Sequence, residues 1–125
     1  MHNAPPTLPA GSHLLLLGDD GQFAARLLQA GMVVSLYHHD IAAAQAASLA
    51  AGLPVRVCRL EQLSTPVPFA AAWLEPAHFS VEKALPHLPA LLKPGAPLYL
   101  LRPTPLPTLP PGWRQIDEQH LIRLP

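Results

Sequence analysis

The chain is poor in charge and in thiols. Only 13% of its 125 residues are charged, the formal net charge is zero, and Cys58 is the one cysteine. With no net charge and no basic cluster on any expected helix, no long-range field gathers nucleic acid or an anionic membrane. A single thiol excludes an internal disulfide and any multi-thiolate metal centre. Cys58 falls inside an apolar strand pattern, where it reads as an inert core thiol. The longest apolar runs have the length of a strand, too short for a membrane span. No positive segment precedes an apolar run near Met1, so residues 1–12, rich in proline, are expected to be a flexible arm rather than a signal peptide. The Ala/Leu/Pro/Arg bias fits a GC-rich bacterial genome, and a cytoplasmic location is the expectation.

What is present is a domain-sized alternation of strands and helices. Residues 13–125 are expected to form a single domain. Leu14 to Leu17 is a continuous apolar run ending at Gly18, as a strand buried on both faces reads. Gly18-Asp19-Asp20-Gly21 is the turn, and the helix that follows carries an apolar stripe of Phe23, Leu27 and Leu28 with alanines, closed by Gly31. Val33 to Tyr37 is the second strand. Asp40 caps an alanine-rich helix from Ile41 to Ala51, ended by Gly52. Val55 to Cys58 is the third strand.

The regularity then weakens. Ser64, Thr65, Pro66 and Pro68 oppose a helix in the third crossover, which is expected to be a loop or a single turn. Phe69 to Leu74 is the fourth strand. Ser80 caps a helix to about Leu92, kinked by Pro86 and Pro89. Pro97 to Leu101 is the fifth strand, and 103–112 a stiff, polyproline-like connection. Trp113 to Asp117 and His120 to Leu124 pair as a terminal antiparallel hairpin. The order implies an α/β, three-layer sandwich with a mainly parallel sheet, trimmed on one face. The first two helices lie on one face and the Ser80 helix lies nearly alone on the other. A partner, either another copy of the chain or another protein, is therefore expected over that face.

Two landmarks carry a family resemblance. The run Leu14 to Gly21, followed by Phe23-Ala24-Ala25-Arg26-Leu27 and Ala30-Gly31, resembles the first motif of class I S-adenosylmethionine (SAM)-dependent methyltransferases. Leu92-Lys93-Pro94-Gly95-Ala96-Pro97-Leu98 is similar to the turn into their fifth strand. The resemblance covers Ser12 to Pro103 and implies a Rossmann-like fold with SAM as cofactor; the terminal hairpin agrees with the family's last two strands. The departures are specific. The first strand lacks the usual acid, and the turn has two glycines and is one residue short. Tyr37 stands where the family usually has an acid for both ribose hydroxyls. His38 and His39 cannot accept two hydroxyl protons as a carboxylate does. Glu61 matches the acid that contacts the adenine amino group. Trp73-Leu74-Glu75-Pro76 is similar to the Asn/Asp-Pro-Pro-aromatic motif that follows the fourth strand in some members.

The same opening also resembles NAD(P)-dependent dehydrogenases. Those use three glycines for pyrophosphate approach at a helix N-terminus. Here the third is missing, and Asp19 and Asp20 would stand beside the phosphates, whereas they suit a sulfonium cation.

Ligands of open α/β sheets bind beyond the carboxyl ends of the strands. Asp19, Asp20, His38, His39, Asp40, Glu61, Glu75, His78 and Arg102 all follow strands and share that rim. Gly18, Asp19, Asp20, Gly21, Tyr37, His38, Glu61 and Glu75 are the candidate cofactor residues. A blander explanation stands beside this: such loops face water, Asp40 is explained as a cap, and Asp19 and Asp20 favour the positive end of the helix after Gly21. His38, His39, Asp40 and His78 are metal-ligand types, but neighbouring strand histidines point to opposite faces, and no metal is expected. No serine has a glycine elbow, and no catalytic base is assigned. Three functions remain: a degenerate, non-catalytic methyltransferase-like module for interaction or assembly; an active methyltransferase with an altered pocket; and a small NAD(P)-binding domain.

Overall fold

The computed structural model describes residues 8–106 and 108–124. The first seven positions of the expected arm lie outside that range. Five strands and three helices come first: β1 (His13–Leu17), α1 (Gln22–Gln29), β2 (Val33–His38), α2 (Ile41–Ala51), β3 (Arg56–Val57), β4 (Ala71–Leu74), α3 (Val81–Ala84) and β5 (Pro97–Leu100). The hairpin β6 (Trp113–Asp117) and β7 (His120–Arg123) follows. All seven strands form one sheet in the order β3-β2-β1-β4-β5-β7-β6. The first five are parallel, and β7 runs antiparallel between β5 and β6. Strand order reverses between β1 and β4, which places the crevice of the fold at their carboxyl ends.

Several elements are shorter than the sequence suggests. β3 has two residues, so the outer edge of β2 has a strand partner only at Tyr37 and His38. The Ser80 helix does not continue through a kink. Ser80 accepts from Lys83 N at 3.3 Å and starts α3, which ends at Ala84, and a 3-10 turn at Leu88–Ala90 follows. Pro86 has no N–H to continue the ladder, so the helix breaks there. The third crossover is a single 3-10 turn, Leu60–Gln62, as expected.

The α3 face is covered by short segments of the chain. Leu15, Leu17, Ala72, Leu74, Leu98 and Leu100 are fully buried there, beneath Phe79, Val81, Leu85, Leu88 and Leu91. Leu106 and Leu109 of the Pro-rich connection pack against the margin. Trp113 Nε1 donates to Leu85 O at 2.8 Å and Arg123 Nε to Pro89 O at 2.9 Å, tying the short turns to the hairpin. Short segments pinned by prolines thus lie over this face. The thinner place is on the other face, where Pro97, Tyr99, His120 and Ile122 of β5 and β7 are only half-buried.

On the α1–α2 face, Trp73 is fully buried between Phe23, at 5.2 Å between ring centroids, and Tyr99, also at 5.2 Å. Trp73→Ala removes the largest side chain of this layer. The expected loss is about 3–5 kcal/mol of unfolding free energy, read from urea denaturation.

Candidate functional site

The bend between β1 and α1 is built by two glycines and two aspartates. Gly18 has φ +85° and Gly21 φ +100°, a region that other residues seldom enter. Gly18 N donates to Tyr37 O at 2.9 Å, and Glu75 N donates to Leu17 O at 2.8 Å. These bonds bring the end of β2 to one side of the bend and the turn after β4 to the other. Asp19 is buried, and its Oδ2 accepts from Gly21 N and Ala24 N, both at 3.0 Å. Asp20 Oδ1 accepts from Gln22 N at 3.0 Å. The N–H groups of Gly21, Gln22 and Ala24 at the start of α1 are therefore satisfied by the chain's own carboxylates. Burial raises the Asp19 carboxyl above its ordinary 3.8; the bonds from Ala24 and Gly21 pull the other way.

The space over Gly18 is occupied. A Cβ on Gly18 would lie 2.9 Å from His78 Cβ and 3.2 Å from both Glu75 Cβ and Phe79 Cδ2. His78 also meets His38 edge-on at 5.1 Å between centroids, and His39 lies 5.3 Å from Phe79. His38 is 1% exposed; its Nε2 is 2.7 Å from Asp19 O, and its Nδ1 has no partner among the described residues. Only a protonated nitrogen can donate to that carbonyl, which assigns the proton to Nε2. Gly21 serves packing of another kind. A Cβ there would stand 2.4 Å from Ala47 O and 2.8 Å from Ala50 Cβ, so the glycine lets α1 start against α2.

What stays open at the crevice is a polar cleft of about 260 Å³, lined by Gly18, Asp20, Arg26, Glu75, His78 and Arg102 among others. Glu75 is buried; its Oε2 accepts from Ala77 N at 3.0 Å, and its Oε1 lies 2.9 and 2.6 Å from Arg102 Nε and Nη2. Arg102 is 62% exposed, so the pair shapes the rim more than it adds stability.

The remaining candidates do not join this cleft. Tyr37 points to the α3 face with Leu17 and lines a different groove of about 440 Å³ along the outer edge of β2, beside Arg56, Ser64 and Thr65. Glu61 is exposed on the Leu60–Gln62 turn, away from Gly18. Asp40 accepts from Ala43 N at 2.8 Å as the cap of α2. Cys58 is half-buried, and burial raises its thiol, which lowers its reactivity. Among the described residues, no group of three or more His, Cys, Asp or Glu side chains is placed to hold a metal ion, and no helix is long and apolar enough to cross a membrane.

No protein-family model matches the chain, and no curated protein sequence does. Solved structures do match. A SAM-dependent methyltransferase from Methanosarcina mazei superposes with a TM-score of 0.63 at 23% identity, over 74% of this chain and 53% of that one. The N-methyltransferase NodS from Bradyrhizobium japonicum, in complex with S-adenosyl-L-homocysteine, gives 0.59 at 17% identity, over 73% and 52%. A SAM-bound amino pentose methyltransferase from Micromonospora echinaspora gives 0.57 at 18% identity, over 72% and 42%. The chain has a methyltransferase-like Rossmann fold. It spans about half the length of these structures.

In this methyltransferase-like domain, sequence reasoning missed Phe79 and the role of His78. Both sit just before the Ser80 cap, and the strand-ending Leu74 fixed how far they lie from β4. An aromatic following the polar turn after the fourth strand was the available signal.

Proposed function

We propose that this methyltransferase-like domain is non-catalytic and acts as an interaction or assembly module. The observation that carries the reading is the filled space over Gly18, where His78, Glu75 and Phe79 stand at contact distance from the backbone. Three further features support it. At the start of α1 the N–H groups of Gly21, Gln22 and Ala24 are already bonded to Asp19 and Asp20. β2 ends in His38, whose Nε2 is engaged with a backbone carbonyl, where a carboxylate would be needed for two ribose hydroxyls. The open cleft, at about 260 Å³, falls below the roughly 300–1,000 Å³ typical of small-molecule sites. On this reading these residues do not fit SAM. The same capped helix start, with two carboxylates beside it, weighs against a dinucleotide phosphate.

One observation favours the active reading. The cleft gathers Asp20, Glu75, His78 and Arg102 at the switch point of the sheet, where such folds hold ligands. Thermal denaturation with SAM, S-adenosylhomocysteine and NAD(P) separates the readings. A ligand at a hundred times its dissociation constant adds about 2.7 kcal/mol. The non-catalytic reading expects no shift from any of them. A shift with the sulfonium compound or its product that disappears in Asp20→Ala would overturn the filled-site reading and favour the active one.

A further inference from the structure

The second helix exposes a face that a solitary domain has no use for. None of the eleven residues of α2 is charged, and its sequence, IAAAQAASLAA, is apolar almost all round. Helices of that kind are normally covered. Ala44 and Ala47 are buried against the domain, but Leu49 is 87% exposed and Ile41 65%. Val57 of β3 pairs with His38 and so faces the same side of the sheet as α2; it is 45% exposed. Three of the molecule's large exposed hydrophobic side chains thus share one corner.

We propose that this corner is a homodimer contact in which α2 packs antiparallel on α2 of a second copy of the chain, about a two-fold axis at Gln45. Two features select a second copy over an unrelated partner. An isologous interface must be self-complementary. A lone charge would meet itself across the axis, and α2 has none; its exposed polar side chain is Gln45, an amide that both donates and accepts and can therefore pair with its own copy. The register is symmetric as well. Ile41, Gln45 and Leu49 follow one another at helical spacing on one stripe, with Gln45 midway. Antiparallel pairing centred there sets Ile41 against Leu49 of the second copy, twice over. Ala42 and Ala46 beside the stripe keep the backbones free to approach closely, and the opposed helix dipoles attract. A patch of one short helix and Val57 lies at the small end of specific interfaces, so the dimer is concentration-dependent.

The proposal rests on the assembly reading for its purpose, not for its geometry. Sedimentation across the micromolar range should show a monomer–dimer equilibrium that Leu49→Glu abolishes. Leu49 is so exposed that this variant keeps its fold, which circular dichroism checks. In a Cys58→Ser background, Gln45→Cys should form a cross-linked dimer on mild oxidation, because facing positions of helices packed about 8–10 Å apart come within disulfide reach. Glu82→Cys, on α3, should not. A monomer up to the solubility limit would overturn the proposal. So would a dimer that survives Leu49→Glu, or cross-linking at 82 equal to that at 45. SAM binding would refute the assembly reading and leave the dimer standing; a monomer that binds no cofactor would do the reverse.

Discussion

Gly21→Ala is expected to destabilise the domain by about 2–5 kcal/mol, a large part of the roughly 5–15 kcal/mol that holds a domain together. Two costs combine. The residue sits at φ +100°, where a Cβ costs about 1–2 kcal/mol. The new methyl also has no room: Ala47 O would be 2.4 Å away and Ala51 N 3.0 Å, both backbone atoms of α2 that cannot rotate aside. Overpacking of that kind adds about 1–3 kcal/mol. Gly52→Ala is the internal control. Its φ is +74° and no atom lies within 4 Å of the added carbon, so only the backbone cost remains. Urea denaturation of both variants decides the matter. Equal losses would mean that the α1–α2 contact does not depend on Gly21.

Asp19→Ala should cost about 2–4 kcal/mol. The carboxylate is the acceptor for Gly21 N and Ala24 N, and without it two buried donors at the start of α1 go unpaired, at about 1–3 kcal/mol each. Relief of the buried charge offsets part of this. That burial has a consequence in pH. Because the native carboxyl titrates above 3.8, the folded chain binds a proton that the unfolded chain releases between 3.8 and the raised value. The Asp19 contribution is fully present below that window and is lost as pH rises through the native pKa. Asp19→Asn removes the titration. The stability of the wild-type chain relative to Asp19→Asn should therefore fall as pH rises from acid toward neutrality. A difference that rises instead would mean the cap bonds outweigh burial.

Much of the fold could be read from particular residues. The leucine run, the two glycines of the bend, Asp40 as a cap and the lysine–proline–glycine turn before β5 are local signals, and the structure has a strand, bend, cap or turn at each. What the sequence hid was tertiary. Nothing local says that Gly21 abuts Ala47 and Ala50, because that depends on how closely α1 approaches α2. Nor does it say that His78 and Phe79 close over Gly18, which follows from Glu75 bonding to Leu17 and so from the register of β4 on β1. The position of Tyr37 at the expected strand end points it to the crevice. β2 runs one residue further, and alternation turns Tyr37 to the α3 face and His38 toward Asp19. Prolines 86 and 89 signalled a kink but broke the helix, and the leucines they hold in place closed the face that looked bare.

The space over Gly18 is filled by the chain itself, by His78, Glu75 and Phe79. Titration of the isotopically labelled domain with S-adenosylhomocysteine, followed at the backbone amides of Gly18, Asp20 and Glu75, tests it most directly. Those signals should stay in place to millimolar ligand. Saturable shifts clustered on these three amides would contradict it.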